Sequence, residues 1–151
     1  MICHHCGMRY VEFFPNAKQE NLFIGMIHAF LYMGVPKHIL TDNMKSVVIG
    51  RDVDGHPIWQ KDYESFIKLV GFETRLCKPR HPFTKGAVER LVQFVKQNFM
   101  TGRTFGNITD LNCDALQWCN NQINMLNGRF FEIRSIKINE GEFFIDCMYT
   151  D

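Results

Sequence analysis

Apolar positions recur along this 151-residue chain with two different periods, and their succession predicts a mixed α/β fold. Residues Met8 to Phe14, MRYVEFF, alternate and are rich in aromatic and β-branched side chains, which predicts a strand ended by Pro15. Leu22, Phe23, Met26, Ile27, Phe30 and Met33 then fall at helical spacing. That helix is expected over 16–33, with Asn16 as N-cap, Gln19 completing a capping box, and Gly34 and Pro36 ending it. Ile39 and Leu40 are short strand material, closed by the turn formers Thr41, Asp42 and Asn43. Met44 to Gly50 continues as a short strand-like run, and Arg51 to Pro57 as a loop with an Asp-Gly turn.

Trp59 to Val70 predicts a helix with Tyr63, Phe66, Ile67 and Val70 inward, and Phe72 to Cys77 a further strand. From Lys85, the residues Val88, Leu91, Val92, Val95 and Phe99 form one apolar helical face. A last helix is expected from Thr109 to Leu126, burying Leu111, Ala115, Leu116, Trp118, Cys119 and Ile123. Past Asn127 the pattern loses its period, so 1–127 reads as the domain and 128–151 as a divergent tail. Strands and helices in this order predict a central sheet with flanking helices.

A hydrophobic fraction of 46% with 14 Phe excludes a disordered chain, and the length suffices for a proper core. A formal net charge of +1 leaves no global basic signature, so any nucleic-acid surface is local. The six Cys show no disulfide framework and read as reduced thiols, pointing to the cytoplasm. No apolar run is long enough for a membrane span. Cys3-His4-His5-Cys6 has the look of a metal knuckle but lacks a second ligand pair at matching spacing. Asp52 and Asp54 superficially resemble a calcium loop, without the Gly and Glu such a loop requires.

The chemistry concentrates in 78–99, KPRHPFTKGAVERLVQFVKQNF, where a basic, proline-punctuated loop turns into a helix. Beside its apolar face run Lys85, Glu89, Gln93 and Lys96. By itself that stripe reads as a solvated helix face with an i,i+4 Lys–Glu pair, or as a metal-ligating carboxylate on a helix touching a polyanion. Asp42 poses the same choice: a turn cap acting through its side chain, or a ligand beyond the carboxyl end of a strand.

Taken together, RYVEFFP, GVPKHILTDNMKSVV, GFETRLCKPRHPFTKGAVERLVQFVKQNF and GRTFGNITDLN resemble the catalytic core of the retroviral-integrase superfamily, and more narrowly the IstA-type insertion-sequence transposases. The resemblance covers about residues 8 to 120 and implies a ribonuclease-H-like mixed sheet with flanking helices. It matches Asp42 and Glu89 to the second and third carboxylates of a D-D-E site, catalytic residues that hold Mg2+ or Mn2+. In that family, water attacks a phosphodiester at the transposon end, and the freed 3′-hydroxyl attacks target DNA. Lys78, Arg80, Lys85, Arg90, Gln93 and Lys96 would contact DNA. DNA is thus the implied partner, as transposon end and as target, alongside self-assembly and an ATPase helper of the IstB type. The implied setting is the bacterial cytoplasm, at the nucleoid.

The sequence also departs from the family. Between Met1 and Thr41 there is no Asp, and the only carboxylates are Glu12 and Glu20, so the first catalytic Asp has no counterpart. The expectation is a fragment truncated at both ends, lacking the first, central strand and inactive alone. The alternatives are an enzyme completed by another chain, and a non-catalytic DNA-binding remnant that keeps the basic Glu89 helix.

Overall fold

The computed structural model describes residues 1–3, 7–77, 82–126, 137–139 and 142–144, with side chains for those outside 82–88 and up to 122. Its elements are α1 (Gln19–Met33), β1 (His38–Thr41), β2 (Val48–Arg51), β3 (Pro57–Trp59), α2 (Lys61–Val70), β4 (Glu73–Leu76), α3 (Pro82–Val95), a π turn (Lys96–Met100), α4 (Ile108–Leu126), β5 (Lys137–Asn139) and β6 (Glu142–Phe144). This is a mixed α/β arrangement. Among the described residues, pairing forms three two-stranded sheets: parallel β1–β4, antiparallel β2–β3 and antiparallel β5–β6.

Several elements start elsewhere than the periodicity predicts, for local reasons. The capping box at Asn16 does not form: Asn16 Oδ1 accepts the Lys18 N–H at 3.1 Å, and the amide of Gln19 donates to Ser46 O at 2.9 Å. Helix α1 therefore begins at Gln19, without a side-chain cap. Helix α2 begins two residues later than expected because Gln60 Oε1 accepts from the N–H groups of Asp62 and Tyr63, at 2.6 and 3.2 Å. Trp59 belongs to β3, which turns the expected 51–57 loop into the tip of a hairpin. Helix α3 starts at Pro82, ahead of Lys85; proline suits the first helical turn, where no backbone donor is needed.

The segment 8–14 is extended but joins no ladder, apart from one bridge between Ile2 and Arg9. A helix takes the place of a neighbouring strand. Asn112 on α4 accepts the Phe13 N–H at 2.8 Å and donates to the Phe13 carbonyl at 3.0 Å. One side-chain amide thereby does for Phe13 what a paired residue does in a sheet. The next residue, Phe14, lies on α1 at Gly25, where a Cβ would sit 2.9 Å from the ring.

Two apolar clusters hold the chain together. The first gathers Met26 and Phe30 of α1, Val47, Val48, Tyr63 and Phe66 of α2, and Phe72, with Ile39 and Leu76 from the parallel pair packed against it. Phe66 and Phe72 meet edge to face at 5.9 Å between centroids. The second gathers Leu91 and Val95 of α3, Phe99, and Ala115, Trp118 and Cys119 of α4, with Phe13 and Tyr32 at its margin. Phe99 is fully buried and lies 5.7 Å from both Trp118 and Phe105, centroid to centroid. Helix α1 serves both clusters, through Met26 and Phe30 on one side and Tyr32 on the other. Ile27, Val92 and Leu116, which the spacing assigns to inward faces, are exposed.

Candidate functional site

Strands β1 and β4 pair in register from His38↔Glu73 to Thr41↔Leu76. The ladder runs one step further, since the Cys77 N–H donates to the Thr41 carbonyl at 2.8 Å. Ile39 and Leu76 face the first core, while His38, Leu40, Glu73 and Arg75 face outward, with His38 Nε2 3.0 Å from Glu73 Oε2. Both strands end at the same edge. Asp42 stands there as the first residue beyond β1 and is half-buried. The next element after β4 is α3, which carries Glu89.

The same edge is tied to the β2–β3 hairpin. Asn43 Nδ2 donates to the Cys77 carbonyl at 3.3 Å, and Asn43 Oδ1 accepts from Arg51 Nη2 at 3.3 Å. Arg51 Nη1 donates to the Gly55 carbonyl at 2.8 Å. Gly55 takes φ +84°, a left-handed conformation that glycine adopts without strain. Neither Asn43 nor Arg51 stands out in the sequence as a site residue. Their pairing depends on the hairpin, whose second strand is three residues long and contains a proline.

Glu89, Arg90, Gln93 and Lys96 are all exposed, on the part of α3 and its π turn that faces away from Leu91, Val95 and Phe99. Lys85 lies on α3, and its side chain is outside the described ones. Lys78 and Arg80 lie outside the described residues.

As metal donors, Asp42 and Glu89 offer hard carboxylate oxygens on separate elements. Among the described residues, neither belongs to a group of three or more ligating side chains. The group that does exist is Asp52, Asp54 and His56 at the hairpin tip, exposed, with ligand atoms within 4.8 Å of one another. Its geometry serves the turn: Asp52 Oδ1 accepts the N–H groups of Asp54 and His56, at 3.0 and 2.7 Å. Glu12 is engaged elsewhere. Its Oε1 lies 2.9 Å from His28 Nδ1 and its Oε2 accepts the Tyr10 hydroxyl at 3.0 Å. Burial, and then that bond to Glu12, push the Tyr10 hydroxyl well above its ordinary range. Among the described cysteines, Cys77, Cys113 and Cys119 are free thiols, and no helix of the described chain is long and apolar enough to cross a membrane.

No family model matches the chain. Comparison with individual proteins is more telling. The chain is 38% identical over 112 residues to a putative transposase for insertion sequence element IS5376 of Geobacillus stearothermophilus, a match covering 74% of this chain and 28% of that protein. It is 32% identical over 106 residues to the transposase for insertion sequence element IS21 of Pseudomonas aeruginosa, covering 69% and 27%. A transposase for an IS21-like element of Bacteroides fragilis is 37% identical over 91 residues, covering 60% and 17%. The chain is therefore related by sequence to transposases. More narrowly, its relatives are the transposases of insertion sequences, and it spans less than a third of the length of these three.

Proposed function

We propose that this chain carries part of the DNA-processing core of an insertion-sequence transposase, with a ribonuclease-H-like arrangement in which Asp42 and Glu89 are the second and third members of a D-D-E set. One observation carries the reading. The stretch related to transposases has Asp42 directly beyond a parallel strand pair, in the position where open α/β sheets bind ligands. The exposed stripe of Arg90 and Gln93 on α3 and Lys96 on the π turn supports DNA as the partner, because such side chains fix a phosphate backbone in place without reading its sequence.

The described donors fall short of a metal centre. Two carboxylates on separate elements, with no described third ligand beside either, do not make a site for Mg2+ or Mn2+, though both are the oxygen donors these ions take. Strand cleavage by this chain alone is accordingly not expected, and its own contribution is to hold and orient DNA.

The test is binding of a fluorescein-labelled duplex, followed by anisotropy across a salt series. Salt-sensitive binding is expected, with Lys96→Ala weakening it for every sequence and lowering the salt slope by about one charge. Asp42→Ala should leave binding in place, and Mg2+ or Mn2+ should produce no nicking. Absence of salt-sensitive binding overturns the reading of the α3 stripe. Metal-dependent nicking that Asp42→Ala abolishes would show that the chain completes its own site.

A further inference from the structure

Hydrogen bonds around Asn43 run through three segments that the sequence keeps well apart. The Gly55 carbonyl at the hairpin tip takes one guanidinium N–H of Arg51 at 2.8 Å. The Asn43 side-chain oxygen takes another, and the Asn43 amide N–H then reaches the Cys77 carbonyl. Arg51 is thus attached at both ends: to the turn of its own hairpin and to the residue following Asp42. Asn43 is in turn attached to the carboxyl end of β4, where the path toward Glu89 begins.

We propose that Asn43 and Arg51 are positioning residues, a clamp that holds the β2–β3 hairpin at the carboxyl edge of the parallel pair and so fixes the backbone next to Asp42. This rests on the reading of that edge as the DNA-processing side. Chemistry favours these two residue types. A planar guanidinium offers several donors in a fixed fork, so it can hold two acceptors at once, whereas a lysine ammonium on a flexible stem does not impose that geometry. A primary amide carries one acceptor and two donors on a short stem, so it can pass the tie from Arg51 to the Cys77 carbonyl. The hairpin's base is already held, by Val48 in the first core and Trp59 against it, but Ile49 and Ile58 face solvent, and the tie reaches the part the core does not cover.

The experiment uses the full chain and compares Arg51→Ala, Arg51→Lys, Asn43→Ala and the Asn43→Ala/Arg51→Ala double variant. Amide hydrogen exchange is read at Asp52, Gly55 and Cys77, whose N–H groups are hydrogen-bonded in the hairpin and at the strand edge, and DNA anisotropy is read in parallel. Each single variant should speed exchange at all three amides by about tenfold, with the melting temperature close to that of the parent. The double variant should add little beyond either single one, because both act through one chain of bonds. Arg51→Lys separates the clamp from a simple charge: it keeps the charge and should still loosen the three amides like Arg51→Ala. Wild-type exchange in Arg51→Lys would overturn the clamp, as would additive effects in the double variant. A parent chain that binds no DNA while still showing the coupled exchange would overturn the DNA reading and leave the clamp standing.

Discussion

Cys119 shows how a single buried group sets the chemistry around it. The thiol is fully buried in the second core, and burial pushes it above its ordinary range. Cys113, six residues earlier on α4, is exposed. At about pH 8 an aromatic disulfide reagent should modify Cys113 within minutes and Cys119 only once the protein is unfolded. Equal rates would mean that the second core opens freely. Two tyrosines follow the same rule. Burial, with the nearby Cys119 second, pushes Tyr32 up to about 12, while burial raises Tyr63 despite its bond to Thr74. The folded protein keeps these protons where the unfolded chain releases them. Their contribution to stability is therefore whole below the ordinary tyrosine value of 10.0 and drains away as pH climbs toward about 12. The urea midpoint should be lower at about pH 11 than at about pH 8, and a flat profile would contradict the burial.

Elements depend on partners that periodicity does not reveal. The alternation in 8–14 predicts a strand that does not form: Met8 and Tyr10 bond back to Cys3 and Met1, and Phe13 bonds to a helix side chain 99 residues away, which no local pattern announces. Replacing Asn112 by Ala leaves the Phe13 N–H and carbonyl without that partner, at a cost of about 1–3 kcal/mol in chemical denaturation. Asn112→Asp keeps the acceptor and loses the donor, and should fall between the two. Core-facing residues were legible at the centre of each helical stripe, at Met26, Phe30, Tyr63, Phe66, Leu91, Val95, Ala115 and Trp118. They were misjudged at the stripe's margins, at Ile27, Val92 and Leu116, because spacing alone does not tell how much of a helix its neighbours cover. Helix starts failed where a side chain found a better bond, as Gln19 did at Ser46. Of the candidate site, Asp42 and the α3 stripe could be read from the sequence because they lie in contiguous, patterned stretches. Asn43 and Arg51 could not, since their meaning arises only when the hairpin folds back.

At the scale of the whole molecule, α1 makes two cores into one structure. Each core has its own tryptophan: Trp59 packs against the first, and Trp118 lies within the second. Single-tryptophan variants retaining one or the other should report coincident unfolding transitions, because α1 cannot release Phe30 and keep Tyr32 in place. Separate midpoints would show two independent units. The phase between core and surface is governed by the π turn at Lys96–Met100. A wide turn is what one surplus residue does to a regular helix. Deleting Gln97 would remove that surplus and let the helix close to its ordinary pitch, with the residues on either side kept in about the same phase. Phe99 would still face Trp118 and Phe105 while Glu89 and Gln93 stayed where they are. The turn works as slack in a belt: it takes up one residue so that the outward stripe and the inward ring keep their relation.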